Sequence, residues 1–264
     1  MTFDKKFYEY VGDCSYLLAR DFIDGKFSVL INYDNVNGVM SKKSVTVHSG
    51  DKEIEILSNY KVKVDGRESD LPIKSKQTVI RRIGNIIQLD NDHGLGITCD
   101  LANDRCTVKV TGWYYGKTGG LFGTYDNEPA TDFHTADRRN TKSLEDFALT
   151  WSSGSRCRAV NSATKVEPST SSAEYTVCAK YFEKQTSPYR ICFGQVDPSP
   201  FMTMCMNDVS TSTDRKAAAC KIASFYVEEC NMAYVPMRLS KDCGKNFCCY
   251  PSCSFSLCMF ISCV

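Results

Sequence analysis

Apolar and polar residues alternate over much of the first 113 residues, which is the pattern of strands that bury one face. Phe27, Val29 and Ile31 alternate in one run. The same period-two pattern recurs in the runs at residues 43–49, 54–56, 62–64, 79–80, 85–89, 94–98 and 105–113. Short strands separated by Asn, Asp and Gly at steady spacing are typical of a β-sandwich or barrel. We therefore predict a mainly β domain, of the sheet-sandwich type.

A polar segment at residues 161–173 separates this β region from a second part with a different period. Its composition, rich in Ser, Thr and Ala, is that of a linker. Beyond it, Tyr175, Cys178 and Phe182 are spaced at i, i+3 and i+7, as on one face of a helix. We therefore expect a β domain at residues 1–160, a linker at 161–173, a small disulfide-rich helical domain at 174–247 and a cysteine-rich tail at 248–264.

Residues 214–232 form the clearest predicted helix. Ser212 or Thr213 can cap its N-terminus, and Asp214 suits the first turn, where a carboxylate complements the helix dipole. The segment before the linker, residues 143–151, is compatible with either a closing helical turn or a strand. A helical domain of this size has a core too small to be stable alone, so we expect disulfides to support it.

The chain contains 15 cysteines, four spread over the first 160 residues and eleven between residues 178 and 263. The first six of those eleven include no C-x₂-C pair, which argues against zinc. Disulfides in an oxidising compartment explain the number better. Cys99 and Cys106 flank a turn and can staple one hairpin. Because the count is odd, at least one cysteine is free or pairs with another chain.

The two ends of the sequence differ from the rest. The first residues lack the apolar core of a signal peptide, so we expect a piece of a longer secreted chain. Residues 248–264 are apolar, uncharged and dense in cysteine. They are either the start of another disulfide module or a gene-prediction artefact, and we assign them no function.

Composition and motifs exclude several classes of function. The net charge of +1 gives no reason to expect nucleic acid or an anionic membrane as a partner. No apolar run is long enough for a transmembrane segment. The sequence contains neither a nucleophile elbow nor a phosphate-binding loop. Cysteines at this density are bridged rather than catalytic, so we expect a protein that is not an enzyme.

The segment at residues 119–133 carries the main candidate chemistry. Three glycines allow tight turns. Oxygen-bearing side chains follow at Thr124, Asp126, Asn127, Glu128, Thr131 and Asp132. Carboxylates and hydroxyls concentrated in a tight loop are ligands for a hard cation such as Ca²⁺. The alternative is a turn held by bonds from Asp side chains to the backbone.

Several motifs occur together in order. Thr2-Phe3-Asp4 is followed by the block at residues 10–21, which includes Cys-Ser-Tyr-Leu-Leu-Ala-Arg-Asp, and then by Gly-Leu-Phe-Gly-Thr-Tyr-Asp-Asn-Glu at residues 120–128. With Phe133 and Trp151, residues 1 to about 158 resemble a von Willebrand factor type D domain. The segment at residues 187–205 extends the resemblance, to about residues 2–247, toward the C-terminal region of large lipid transfer proteins, the apolipophorin and vitellogenin group.

The resemblance implies a calcium site. The matching ligand positions are Asp4, Thr124, Asp126, Glu128 through its backbone carbonyl, Thr131 and Asp132. Thr124 and Thr131 depart from the pattern of clotting-factor and mucin members, where Asn is usual. A Thr hydroxyl is a shorter and weaker ligand than an amide carbonyl. Calcium would then need the hydroxyls and water to reach the 6–8 oxygens that it prefers.

The resemblance also implies a disulfide between Cys14 and Cys157, which would close the domain ends. At Phe122, multimerising members have Cys, so local apolar packing is expected there and covalent polymerisation is not. The implied function is that of a non-enzymatic extracellular module of a lipid carrier. Its partners would be lipoprotein particle subunits or a receptor, and lipid would bind only through a missing upstream module. The alternative is an adhesive, mucin-like or clotting-type secreted protein.

Overall fold

The computed structural model describes residues 1–10, 12–36, 39–103, 105–153, 157, 172–183 and 185–244. The chain divides into two compact units, residues 1–164 and 165–264. The tail at 248–264 and nearly all of the predicted linker at 161–173 lie outside the described residues. No helix in the described part is long and apolar enough to cross a membrane.

The first unit is built mainly from β-strands. Their bounds are β1 Ser15–Asp21, β2 Phe27–Val36, β3 Val39–Ser49, β4 Lys52–Leu57, β5 Val62–Val64, β6 Arg67–Ser69, β7 Ile73–Lys74, β8 Thr78–Ile83, β9 Ile86–Asn91, β10 Leu95–Asp100, β11 Arg105–Val110, β12 Thr118–Gly119 and β13 Ser152–Ser153. All pairings among them are antiparallel.

Two sheets share one hydrophobic core. The larger, eight-stranded sheet has the order β12-β1-β2-β3-β4-β5-β6, and β13 also pairs with β1. The smaller, five-stranded sheet has the order β11-β10-β9-β8-β7. Ile54 and Ile56 of the first sheet and Ile87 and Leu89 of the second are each at most 2% exposed and belong to the same cluster. The predicted class, a mainly β sandwich followed by a small helical part, is confirmed.

Two segments near the end of the first unit refine the expectations. The alternating pattern places Trp113 in a strand, but β11 ends at Val110 and a 3₁₀ turn follows at Gly112–Tyr114. Helix α1, Leu144–Thr150, resolves the alternative at residues 143–151 in favour of a helix. The hydroxyl of Ser143 caps it by accepting a hydrogen bond from the backbone N–H of Asp146.

The second unit contains helices α2 Ala173–Phe182, α3 Ser199–Thr211, α4 Arg215–Met232 and α5 Lys241–Gly244. Tyr226 of α4 is fully buried and makes edge contacts with the rings of Phe182 in α2 and Phe201 in α3. The cap of α4 differs from the prediction. Asp214 itself is the N-cap and accepts from the N–H of Ala217, because its carboxylate lies at the first free amides. Ser212 accepts instead from the N–H of Asp214.

The ten cysteines in the described part of the chain form five disulfides. Two lie in the first unit, Cys14–Cys157 and Cys99–Cys106, which are the two pairings named from the sequence. Three lie in the second unit, Cys178–Cys205, Cys192–Cys230 and Cys220–Cys243. These three bonds link the helices around a small core, as expected for a domain of this size.

Candidate metal site

The glycine-rich segment begins as a strand and is anchored on β1. The N–H of Leu121 donates to the carbonyl of Leu17 at 2.9 Å, and the N–H of Phe122 donates to that of Leu18 at 2.8 Å. Gly120 has φ +124°, and a Cβ placed there would lie 2.6 Å from the carbonyl oxygen of Leu18. Only glycine fits so close an approach. The turn therefore holds the oxygen-rich loop against the larger sheet.

The N-terminal segment brings Asp4 to this loop. The N–H of Phe3 donates to the carbonyl of Phe122 at 2.9 Å, and the two rings meet edge to face with centroids 5.8 Å apart. Asp4 Oδ2 then accepts from the N–H groups of Asp126 and Glu128, each at 3.2 Å. Phe122 thus packs against an aromatic ring, as expected, and that packing places a carboxylate over the loop.

Asp132, at the end of the loop, is only 1% exposed. Its Oδ2 accepts a hydrogen bond of 2.6 Å from the hydroxyl of Thr2. Its Oδ1 lies so close to Gly123 that a Cβ there would be 2.0 Å away. The pKa of Asp132 is raised to about 6, chiefly by burial and also by the charges of Asp4 and Asp126, while the hydrogen bond from Thr2 opposes the rise.

Two buried carboxylate oxygens stand out at this site. Asp4 Oδ1 and Asp132 Oδ1 are the buried side-chain N or O atoms that have no hydrogen-bond partner within the described residues. Each carboxylate therefore uses one oxygen to accept protein donors and leaves the other unsatisfied. A buried anionic oxygen without a donor or cation is costly, and native proteins contain few such atoms.

The remaining predicted residues close the loop through short hydrogen bonds. The hydroxyls of Thr124 and Thr131 are 3.0 Å apart, and Thr131 donates to the carbonyl of Glu128 at 2.8 Å. Asp126 Oδ1 accepts from the N–H of Glu128 at 3.0 Å. The backbone carbonyl of Asp126 accepts from the hydroxyl of Tyr115 at 2.6 Å. Five of the six positions named from the resemblance therefore belong to one hydrogen-bond network, and the sixth, Asp132, is bonded to Thr2 of the N-terminal segment.

The carboxylates do not converge tightly on a single point. Within the described ranges, the three His, Cys, Asp or Glu side chains whose ligand atoms all lie within 4.8 Å of one another are Asp13, Cys14 and Cys157. The two cysteines of that trio are bonded to each other, so neither offers a thiolate. At the loop, backbone carbonyls, hydroxyls or water would have to complete the shell of an ion held by the acidic residues.

Some residues that position the site were not given a role in it from the sequence. Thr2 is 3% exposed and holds Asp132. Tyr8 donates to the carbonyl of Leu121, and burial, followed by the charge of Asp132, raises its pKa. Lys6 places its ammonium 3.7 Å from the ring centroid of Phe133. These residues contact partners more than a hundred positions away, so no local pattern points to their roles.

Comparison with known proteins identifies the module that carries this site. Residues 1–139 match the family model of the von Willebrand factor type D domain. The chain belongs to this family. Residues 177–244 match the C8 domain, so the type D domain here is followed by a C8 domain in the helical unit. The resemblance stated from the sequence is confirmed for both parts.

Known relatives span a large share of this chain but are themselves much longer. Apolipophorins of Locusta migratoria are 30% identical over 247 residues, which is 92% of this chain and 7% of the relative. Mucin-2 of Homo sapiens is 28% identical over 87% of this chain and 4% of its own length. Apolipophorins of Manduca sexta are 27% identical over 97% of this chain and 7% of their own length. The chain therefore corresponds to a small part of each relative.

Proposed function

We propose that this type D and C8 pair is a calcium-stabilised, non-enzymatic extracellular module of a lipid-carrier protein similar to apolipophorins. The observation that carries the calcium part is the pair of buried, unpartnered oxygens on Asp4 and Asp132. A divalent cation is the natural partner for both, because it replaces the lost hydration of two carboxylates at once.

The chemistry of the surrounding donors fits a hard cation. Asp126 adds a third carboxylate, and Glu128 and the two threonines offer a carbonyl and hydroxyls within the same loop. The donors are all oxygen, which suits Ca²⁺ and not a soft metal. Calcium would neutralise the repulsion among Asp4, Asp126 and Asp132, which adds to the effect of burial in raising the pKa of Asp132. The ion would thus act on stability, by holding the N-terminal segment to the loop.

The extracellular part of the proposal rests on the cysteines. Five disulfides in the described part of the chain require an oxidising compartment to form and persist. Their placement is structural: each joins elements within one unit, and none leaves a thiolate beside an acid or base. A scaffold function therefore fits better than catalysis.

The lipid-carrier part rests on the relatives named apolipophorins, of which one is 30% identical. Within such a protein, this module would contact lipoprotein particle subunits or a receptor, and the lipid itself would be carried elsewhere in a longer chain. An adhesive or mucin-like protein is the second candidate, because Mucin-2 matches a comparable span. The packing of Phe122 on Phe3 disfavours disulfide-linked multimers built through that position.

Thermal unfolding with calcium, with magnesium and with chelator tests the ion. We expect calcium to raise the midpoint of thermal unfolding of the first unit, since only the folded state holds the ligands together. Magnesium should have little effect, because it demands a near-ideal octahedral shell and gives up its water reluctantly. Asp126→Ala should abolish the calcium response. Asp65→Ala is the matched control, because Asp65 is an acidic turn residue of the same unit that pairs with Lys52. An unchanged midpoint on adding calcium would sink the calcium proposal.

Non-reducing gels separate the two candidate proteins. A lipid-carrier module should migrate as a monomer, whereas a mucin-like or clotting-type protein should form disulfide-linked multimers. The gel result does not depend on calcium, so the calcium proposal and the lipid-carrier proposal can fail independently.

A further inference from the structure

Two adjacent turns of the type D domain present large apolar side chains to solvent. In the turn between β1 and β2, Phe22 is 45% exposed and Ile23 is 65% exposed. In the turn that follows β11, Trp113 is 66% exposed. The N–H of Phe22 donates to the carbonyl of Lys117 at 3.0 Å, which joins the two turns. We name Phe22, Ile23 and Trp113 the apolar tip.

The first turn is built to hold this tip outward. Asp21 is fully buried, and its carboxylate accepts from the N–H groups of Ile23, Asp24 and Lys26, each at 3.1 Å. A carboxylate that accepts from three backbone donors fixes the turn, so Ile23 stays exposed while the ring of Phe22 packs on one side against Trp151, with centroids 5.8 Å apart. Binding through a rigid tip avoids the entropy of ordering a loop.

Cationic side chains lie beside the aromatic rings of the tip. Lys117 places its ammonium 4.2 Å from the ring centroid of Trp113, and Arg20 lies 5.4 Å from that of Phe22. Lys117 also pairs with Asp24 at 2.8 Å. Because Asp21 and Asp24 offset most of the positive charge, the tip is nearly neutral with mixed polar groups at its rim. Apolar tips with Trp and Lys or Arg beside them are typical of groups that sit at a lipid–water interface.

We propose that the apolar tip inserts into a zwitterionic phospholipid surface, such as the phosphatidylcholine coat of a lipoprotein particle. This inference rests on the proposed lipid-carrier function. The size of the tip favours lipid over a protein partner, because it consists of only three partly exposed side chains. A specific protein interface buries about 800 Å² on each side. The near neutrality of the rim favours a zwitterionic surface over an anionic one.

Flotation with phosphatidylcholine vesicles and with phosphatidylcholine-coated triolein droplets tests the proposal on the 264-residue chain. We expect binding that changes little with salt, since apolar insertion dominates. Ile23→Ser should weaken binding about tenfold, and Phe22→Ser with Ile23→Ser should weaken it further. Ile83→Ser is the matched control, because Ile83 is a 55% exposed isoleucine at another hairpin of the same domain. That variant should bind like the unchanged chain.

Tryptophan fluorescence reports on the tip directly, because Trp113 and Trp151 are the two tryptophans of the chain. On vesicles, the emission of Trp113 in a Trp151→Phe variant should shift to the blue and be quenched by brominated phosphatidylcholine. Binding that persists in the Phe22→Ser, Ile23→Ser variant, or emission that stays that of a water-exposed indole, would overturn the proposal. Self-association that is lost in this variant would overturn it too, by assigning the tip to a second copy.

The calcium response is measured on the same variants. A chain whose midpoint rises with calcium but that does not bind vesicles refutes the lipid inference and leaves the calcium proposal intact. A chain that binds vesicles through the tip but shows no calcium response refutes the calcium proposal and leaves the lipid inference intact.

Discussion

Replacing Asp132 by asparagine should change stability in opposite directions with and without calcium. In chelator, the ionised carboxylate is buried beside the charges of Asp4 and Asp126 and has one unsatisfied oxygen. The Asp132→Asn substitution keeps the shape of the side chain while removing its charge, so the ion-free protein gains stability at neutral pH. With calcium, the same change removes a ligand, so the calcium-dependent gain is lost.

The magnitude follows from the pKa of Asp132, which burial raises from 3.8 to about 6. A raised carboxylate pKa means that the folded state favours the protonated form. The resulting stabilisation is fully present below about pH 3.8 and is lost as the pH rises through about 6. The difference corresponds to about 3 kcal/mol between acid and neutral pH in the ion-free protein. Asp132→Asn removes this dependence.

Urea unfolding in chelator, from about pH 4 to about pH 7.5, measures the effect. The new amide N–H₂ beside Gly123 brings its own cost, but that cost is the same at every pH. The difference in unfolding free energy between the variant and the unchanged chain should therefore shift in favour of the variant by about 3 kcal/mol as the pH rises. A difference that stays constant across this range would refute the assignment of a buried, repelled carboxylate.

Asp65→Asn provides a control that should show almost no shift over this pH range. The hydrogen bond from Lys52 lowers the pKa of Asp65, so its contribution is present above the unfolded pKa and is lost as the pH falls. Asp65 is on the surface, so its effect should be small. A shift of the same sign in both variants would point to a general effect of charge and not to the site.

Three further changes test the scaffold around the site and in the second unit. Gly120→Ala should destabilise the first unit by about 3 kcal/mol or more in urea unfolding, because of its positive φ and the 2.6 Å approach to the carbonyl of Leu18. Asp214→Ala should cost about 1 kcal/mol, and Asp214→Asn much less, in thermal unfolding of the helical unit. Replacing both Cys14 and Cys157 by Ser should cost about 5 kcal/mol, because their bond closes a sequence separation of 143 residues; a loss below about 1 kcal/mol would contradict this account.

Strands that alternate regularly can be predicted from the sequence, whereas the strand next to the site cannot. Ile54 and Ile56 of β4 alternate with polar residues, and both are buried. In β1 the pairing with β2 shifts between Leu17 and Ala19, so the period-two pattern is broken. A bulge of this kind moves successive side chains to the same face, and local alternation cannot detect it.

Helices, too, can be predicted from the sequence only in part. Tyr175, Cys178 and Phe182 mark one face and predict helix α2, which is confirmed. Helix α3 escapes prediction, because a proline stands in its first turn, although its buried residues Phe201, Cys205 and Val209 are spaced as on one helical face. Such a proline is favourable in the first turn, yet from sequence alone it looks like a break. Tertiary packing around Phe201 and Cys205 decides the outcome.

One feature of the site cannot be predicted from any sequence pattern. In both Asp4 and Asp132, one carboxylate oxygen accepts hydrogen bonds and the other accepts none. Asp4 and Asp132 each give Oδ2 to protein donors, which fixes the side chain, and leave Oδ1 buried without one. Asp4 reaches this position because Phe3 packs on Phe122. Phe122, which the resemblance places where multimerising members have cysteine, is therefore also the contact that positions Asp4. The proposed calcium site would then depend on the pairing of Phe3 with Phe122. Phe122→Ala should accordingly weaken calcium binding in a calorimetric titration without touching any ligand, and an unchanged affinity would separate the two.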